Sequence, residues 1–139
     1  SNPYGERQSP YGKQGVIPIF LNRIKHNQRP VIYGDGSMVR DYIYINDIIE
    51  ATSILFERVI KDKVFNVGSG IGVSLNEIIK TMYSILGEEI RPIYEINSSR
   101  TYVTSIVLDI AKIETKTGWK PSTSIEEGIR KTWIWIKRL

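Results

Sequence analysis

Apolar residues recur at helical spacing along this chain, and short apolar runs that end in glycine lie between those stretches. Ile17, Phe20, Leu21 and Ile24 fall on one face of a helix expected from about Gly15 to Asn27. Pro18 lies in its first turn, where a missing N–H costs little. A second helix is expected over about residues 47–59, with Ile48, Ile49, Ala51, Leu55 and Val59 as its apolar positions. Asn46 or Asp47 can cap it. Ser74-Leu75-Asn76-Glu77 is a capping box, opening a helix to about Leu86 that Gly87 stops. Asp109 can cap a short helix that ends near Gly118. Ser124-Ile125-Glu126-Glu127 is a second capping box, and the last helix carries the stripe Ile125, Ile129, Trp133 and Ile136.

The runs between the helices predict strands. RPVIYGDG, from Arg29 to Gly36, reads as a short strand entering a turn. KVFNVGSG, from Lys63 to Gly70, reads as a compact buried strand running into glycines, and EIRPIYEI as another strand. Residues 1–14 read as an irregular loop in which Pro-Tyr-Gly occurs twice, a local echo and not a structural repeat. Helices alternating with short strands define an α/β class in which helix predominates. No linker divides the chain, so residues 1–139 are expected to form one domain.

Composition narrows the chemistry. Hydrophobic residues make up 41% and charged residues 24%, as in ordinary globular domains. No apolar stretch approaches the roughly 18 residues of a spanning helix. The first residues are polar and turn-rich, so no secretory leader is expected. With no cysteine there is no disulfide or thiolate metal site, and the single histidine, His26, cannot build a histidine metal site or a conventional triad. A cytoplasmic protein with no membrane partner is the expectation. The net charge of +4 raises nucleic acid as a partner, but the basic residues are scattered and only the terminal IKRL is locally basic. Nucleic acid is therefore not expected. A few fixed cations for an acidic small ligand fit the same numbers.

Three motifs suggest specific chemistry. In NVGSGIG the glycines Gly68, Gly70 and Gly72 are one residue short of the dinucleotide fingerprint G-x-G-x-x-G. Glu88 and Glu89 follow a helix stop instead of ending a strand. A tight turn with close backbone approach is the better reading. A tyrosine–lysine pair one helical turn apart would give a short-chain dehydrogenase its proton-transfer couple. None of the eight tyrosines has lysine four residues on. Trp119, Trp133 and Trp135 could stack on sugar rings but are expected in the core, with Trp119 packing the turn between the last two helices.

The segments NPYG, GVIP, YGDGSMVRDYIYINDI, FNVGSG and GWKPSTSIEEGI occur in one order. This succession resembles the C-terminal half of NAD-dependent nucleotide-sugar epimerases and dehydratases, which are extended short-chain dehydrogenase/reductases, with the UDP-glucose 4-epimerases as the nearest branch. The resemblance covers essentially all 139 residues. The element G-D-G-x-x-x-R-D followed by an aromatic residue, and then N-V-G-S-G, carries it. In that family the N-terminal part holds the NAD loop and the catalytic Tyr-x-x-x-Lys pair. The resemblance therefore implies a substrate-binding piece of a longer, dimeric parent enzyme that uses NAD. In this chain alone it implies no catalytic residue, no cofactor site and no metal.

The implied ligand is a nucleotide-sugar, with a UDP-sugar foremost. A diphosphate is best held by guanidinium, whose fork donates paired charge-assisted hydrogen bonds. By resemblance, Arg40 and Arg100 contact the diphosphate, and Asn2 donates to a phosphate or sugar oxygen. Gly15 and Val16 match the helix start beside the nucleotide, and Val31, Ile32 and Tyr33 match the strand that borders the uracil. The competing reading of Arg40 is a structural ion pair with Asp41 or Asp47. The sequence also departs from the family: the acid that commonly follows the second arginine is missing, and Tyr102 or Val103 stands there. The first of the family's paired aspartates is Asn46. The function left by these residues is nucleotide-sugar binding for an epimerase. A 4,6-dehydratase piece or a non-catalytic nucleotide-sugar-binding or structural α/β module are the alternatives.

Overall fold

The computed structural model describes residues 1–12, 14–62, 64–95 and 103–139. The element order is β1 (Asn2–Tyr4), α1 (Val16–Lys25), β2 (Val31–Tyr33), β3 (Val39–Tyr44), α2 (Ile45–Glu57), β4 (Gly72–Ser74), α3 (Leu75–Leu86), β5 (Ile93–Glu95), β6 (Ser105–Ile106), α4 (Ala111–Thr117) and α5 (Ile125–Ile136). The α/β class holds. Among the described residues no helix is long and apolar enough to cross a membrane.

β3 organises the larger sheet. β1 runs parallel to it, with Asn2 opposite Tyr42 and Tyr4 opposite Tyr44. β4 pairs with it antiparallel, with Arg40 opposite Val73, and β6 pairs in parallel at Val39 and Arg40. β2 and β5 form a separate parallel pair. The opening residues are thus partly a strand, not wholly an irregular loop. Three residues are too few for alternation to show, and Pro3 gives no ladder donor, which an edge strand tolerates.

The helical expectations fare better. α1 buries Ile17, Pro18, Phe20 and Leu21. α3 has both bonds of its capping box: Glu77 N–H donates to Ser74 Oγ at 3.2 Å and Ser74 N–H donates to Glu77 Oε2 at 2.7 Å. Gly87, at φ 71, closes it in the left-handed conformation. α4 has Ile110 and not Asp109 at its N-cap; Asp109, one residue earlier, accepts from Ala111 N–H at 2.8 Å, and the helix ends at Gly118. α5 keeps half of its box: Glu127 N–H donates to Ser124 Oγ, while the Glu127 carboxylate turns to Lys131 Nζ at 2.7 Å.

Two expectations fail. α2 begins at Ile45, directly off β3, so Asn46 and Asp47 lie in its first turn and cap nothing. Its Ile49 is exposed, and Val59 lies beyond the helix and is fully exposed. Residues 64–70 are not a strand. Their backbone is held by side chains instead: Lys112 Nζ donates to the Val64 carbonyl at 2.9 Å. Asn66 Nδ2 donates to the Asp109 carbonyl at 3.0 Å.

The core has two parts. The larger joins Ile17, Leu21, Ile78, Met82, Ile129 and Ile136, from α1, α3 and α5, to Ile32 and the β-strand tyrosines. Each such side chain contributes about 1.5–3 kcal/mol by leaving water. Trp133 and Trp135 pack against this cluster. The smaller part joins Ile43, Ala51, Ile113 and Trp119, so Trp119 is a core residue at the end of α4, as expected.

Candidate functional site

A hollow of about 730 Å³ opens between β1, the loop that follows it, α1, β2 and β3. Its polar side comes from the N-terminal segment: Asn2, Gln8 and Gln14. Its apolar side comes from Val16, Phe20, Val31, Met38 and Leu75, with Tyr33 and Tyr42 on the wall. Gly15 lies at the start of α1 with φ 88, a conformation in which most side chains would be strained. A Cβ there would lie 2.7 Å from the Gln8 amide nitrogen. The glycine thus lets the Gln8 side chain lie against the helix start.

The structure brings five of the sequence-derived residues to this hollow: Asn2, Gly15, Val16, Val31 and Tyr33. Ile32 sits on the same strand with its side chain sealed in the core. Its contribution to a ligand there is limited to backbone. Arg40 does not line the hollow. Strand alternation puts it on the face of β3 shared by Met38 and Tyr42, which do. Arg100 and Tyr102 lie outside the described residues. Val103 is exposed.

The half-buried Arg40 guanidinium donates to its own neighbour, the Val39 carbonyl, at 2.7 Å. Among the described residues it forms no ion pair. The competing reading, an ion pair with Asp41 or Asp47, fails because both carboxylates are engaged elsewhere. Asp47 accepts from the backbone N–H and hydroxyl groups of Ser122 and Thr123. Asp41 accepts from Ser69 N–H and Ser69 Oγ, each at 2.7 Å, and from Gly70 N–H at 3.0 Å, Leu108 N–H at 3.2 Å and Ser1 Oγ at 3.1 Å. Burial pushes its carboxyl up, but the hydrogen bonds from Ser69, Leu108 and Gly70 outweigh it and hold the group below its usual range. Burial pushes the Tyr42 phenol up to about 12, opposed by the positive charge of Arg40.

The Asp41 bonds also explain the glycine-rich turn. Gly68 makes room for the carboxylate: a Cβ there would meet Asp41 Oδ2 at 2.5 Å. The close backbone approach expected of this turn is present. Gln8, Gln14, Met38, Tyr42 and Leu75 were not singled out from sequence. Tyr42 had a usable signal, since it lies two residues after Arg40 in an extended run. Asp41 was weighed only as a partner for Arg40.

The fold around this hollow is that of the C-terminal, substrate-binding part of an extended short-chain dehydrogenase/reductase. More narrowly, the chain belongs to the family described as GDP-mannose 4,6 dehydratase, whose profile matches residues 1–132. The dTDP-4-dehydro-6-deoxyglucose reductase of Escherichia coli is 38% identical over 131 residues, covering 94% of this chain and 41% of that protein. UDP-glucose 4-epimerase of Thermotoga maritima, solved with UDP-glucose, has a TM-score of 0.89 and 36% identity, over 99% of this chain and 44% of that one. The Thermus thermophilus UDP-glucose 4-epimerase, solved with NAD, has a TM-score of 0.82 and 29% identity, over 97% of this chain and 44% of that one. The chain therefore spans less than half the length of these relatives.

Proposed function

We propose that this chain holds the nucleotide-sugar, a UDP-sugar, for an NAD-dependent sugar epimerase. One observation carries the reading. Asn2, Gly15, Val16, Val31 and Tyr33 come from separate segments and line a single hollow of about 730 Å³. That volume lies within the ordinary range of small-ligand pockets. The likeness to the Thermotoga enzyme that was solved with UDP-glucose supports the same ligand class.

The roles follow from the chemistry of each wall. The planar base lies between Val31 and Tyr33, where apolar surface and an aromatic ring are available. The hydroxylated sugar and the phosphates lie toward Asn2 and Arg40. The Asn2 amide group donates to the Asp41 carbonyl at 3.1 Å and has a second N–H to offer. Arg40 has only a backbone carbonyl as its partner among the described residues, and it reaches the diphosphate by a change of rotamer. Arg100 is assigned to the same diphosphate. Binding energy collected here orients the sugar for groups outside this chain.

NAD accepts and returns hydride in such enzymes, but the glycine-rich turn at Gly68–Gly72 does not fit it. A dinucleotide loop offers free amides to a pyrophosphate. Here the amides of Ser69 and Gly70 are already bonded to Asp41. No step is therefore assigned to this turn. The dehydratase description of the matching family favours a second reading, a nucleotide-sugar 4,6-dehydratase, in which the same hollow holds the same class of ligand.

Calorimetry with UDP-glucose and UDP tests the proposal. Both should bind, and Arg40→Ala should weaken UDP about 10- to 100-fold, the worth of a lost charge-assisted pair at about 1.5–3 kcal/mol. A folded chain that takes up neither ligand overturns the reading.

A further inference from the structure

We infer that Asp41 is a positioning residue for the ligand-binding arginine: its buried carboxylate fixes the register of β3, and so the face from which Arg40 is presented. The inference rests on the proposed role of Arg40.

A strand one of whose faces is apolar and the other polar finds its register from that alternation. β3 lacks this guide. Asp41, Tyr42, Ile43 and Tyr44 are all buried, on both faces of the strand. A slip of one residue would leave apolar groups in apolar surroundings, yet it would carry Arg40 to the opposite face. Something other than hydrophobic pattern must forbid the slip.

Asp41 does so chemically. The place it fills is ringed by hydrogen-bond donors: the amides of Ser69, Gly70 and Leu108, and the hydroxyls of Ser69 and Ser1. Only an acceptor satisfies them. Neither the guanidinium of Arg40 nor the ring of Tyr42 could take that place without leaving partly buried donors unpaired. Space agrees with chemistry, because Gly68 offers no Cβ against the carboxylate. The Ser69, Gly70 and Leu108 donors come from segments that adjoin the two strands paired with β3 at Arg40, since Ser69 and Gly70 precede β4 and Leu108 follows β6. The carboxylate therefore ties both neighbours to the strand at the step beside the arginine. With Asp41 committed to one face, Arg40 must share the other with Met38 and Tyr42, both of which line the hollow.

A residue that acts through another shows non-additivity, so a double-substitution cycle tests the role. UDP affinity is measured by calorimetry for the full chain, Asp41→Asn, Arg40→Ala and the double variant, with circular dichroism confirming the fold of each. The expected result is a loss of about tenfold or more for Asp41→Asn and no further loss when it is added to Arg40→Ala. Unchanged affinity in folded Asp41→Asn, or full additivity in the double variant, overturns the positioning role while leaving the ligand assignment intact. If Arg40→Ala alone binds UDP as the wild type does, the arginine assignment fails first and this role with it. Should Asp41→Asn not fold, Ser69→Ala takes its place, since it removes one hydroxyl donor and keeps the carboxylate. It should weaken UDP binding only when Arg40 is present. Equal loss in both backgrounds overturns the inference.

Discussion

Asp41 and Asp47 are two buried carboxylates on consecutive elements, the first in β3 and the second in the opening turn of α2. Both are satisfied without a cation, by amides and hydroxyls from a distant loop. Asp41 draws on Ser69, Gly70 and Leu108, and Asp47 on Ser122 and Thr123. Asp47 also lies at the positive end of a helix dipole. What separates them is what stands behind each bond. Asp41 locks the strand that flanks the hollow. Asp47 fastens the segment before α5 to the start of α2, and neither it nor its hydrogen-bond partners Ser122 and Thr123 line the hollow. On the proposed reading, the same chemistry serves ligand binding in one place and chain tethering in the other.

The sharpest way to break this comparison is to truncate both. Asp41→Ala leaves four backbone and hydroxyl groups, from Ser69, Gly70 and Leu108, without their acceptor. It should lower unfolding free energy by about 3 kcal/mol or more in urea titration. Asp47→Ala should cost about 2 kcal/mol in the same assay and leave UDP affinity unchanged in the folded protein. A folded Asp47→Ala that binds UDP several-fold more weakly would erase the distinction between the two sites.

A smaller perturbation approaches Asp41 from the other side. Gly68→Ala forces a methyl group to within 2.5 Å of Asp41 Oδ2. It should cost about 1–3 kcal/mol through strain, and should weaken UDP binding in the same direction as Asp41→Asn. Melting temperature and calorimetry together read both effects.

The smallest effect is in pH. The folded-state carboxyl of Asp41 titrates below its ordinary value, about 3.9 when unfolded. The stability it contributes is therefore complete above that value and is lost as pH falls through the lower, folded one. Acid unfolding of Asp41→Asn should show a shallower slope below about pH 4 than the wild type. Identical slopes would mean that this carboxyl titrates alike in both states.

The helices were legible because their ends carry local chemistry. Ser74 with Glu77 and Gly87 acts within one turn of the chain, and so does Asp109 with Ala111. The strands were less so. Residues 64–67 have the apolar character of a buried strand, but their bonds run to a side chain or loop far along the sequence: the Val64 carbonyl accepts from Lys112, and the Asn66 side chain donates to the Asp109 carbonyl. β1 is three residues long and becomes visible only when Tyr42–Tyr44 lies beside it. The residues that motif resemblance singles out, Asn2, Gly15, Val16, Val31 and Tyr33, line one hollow, while Arg40 does not. The resemblance missed Gln8, Met38 and Leu75, which are brought to the hollow by packing and have no motif of their own.

Gly68 carries one more consequence. Glycine-rich turns draw notice because they can cradle a phosphate delivered from outside. This one cradles an anion encoded in the same polypeptide, so the vacancy that a missing side chain creates is filled as the chain folds. The two positions are therefore a matched pair: any side chain added at the glycine takes its space from the carboxylate it faces.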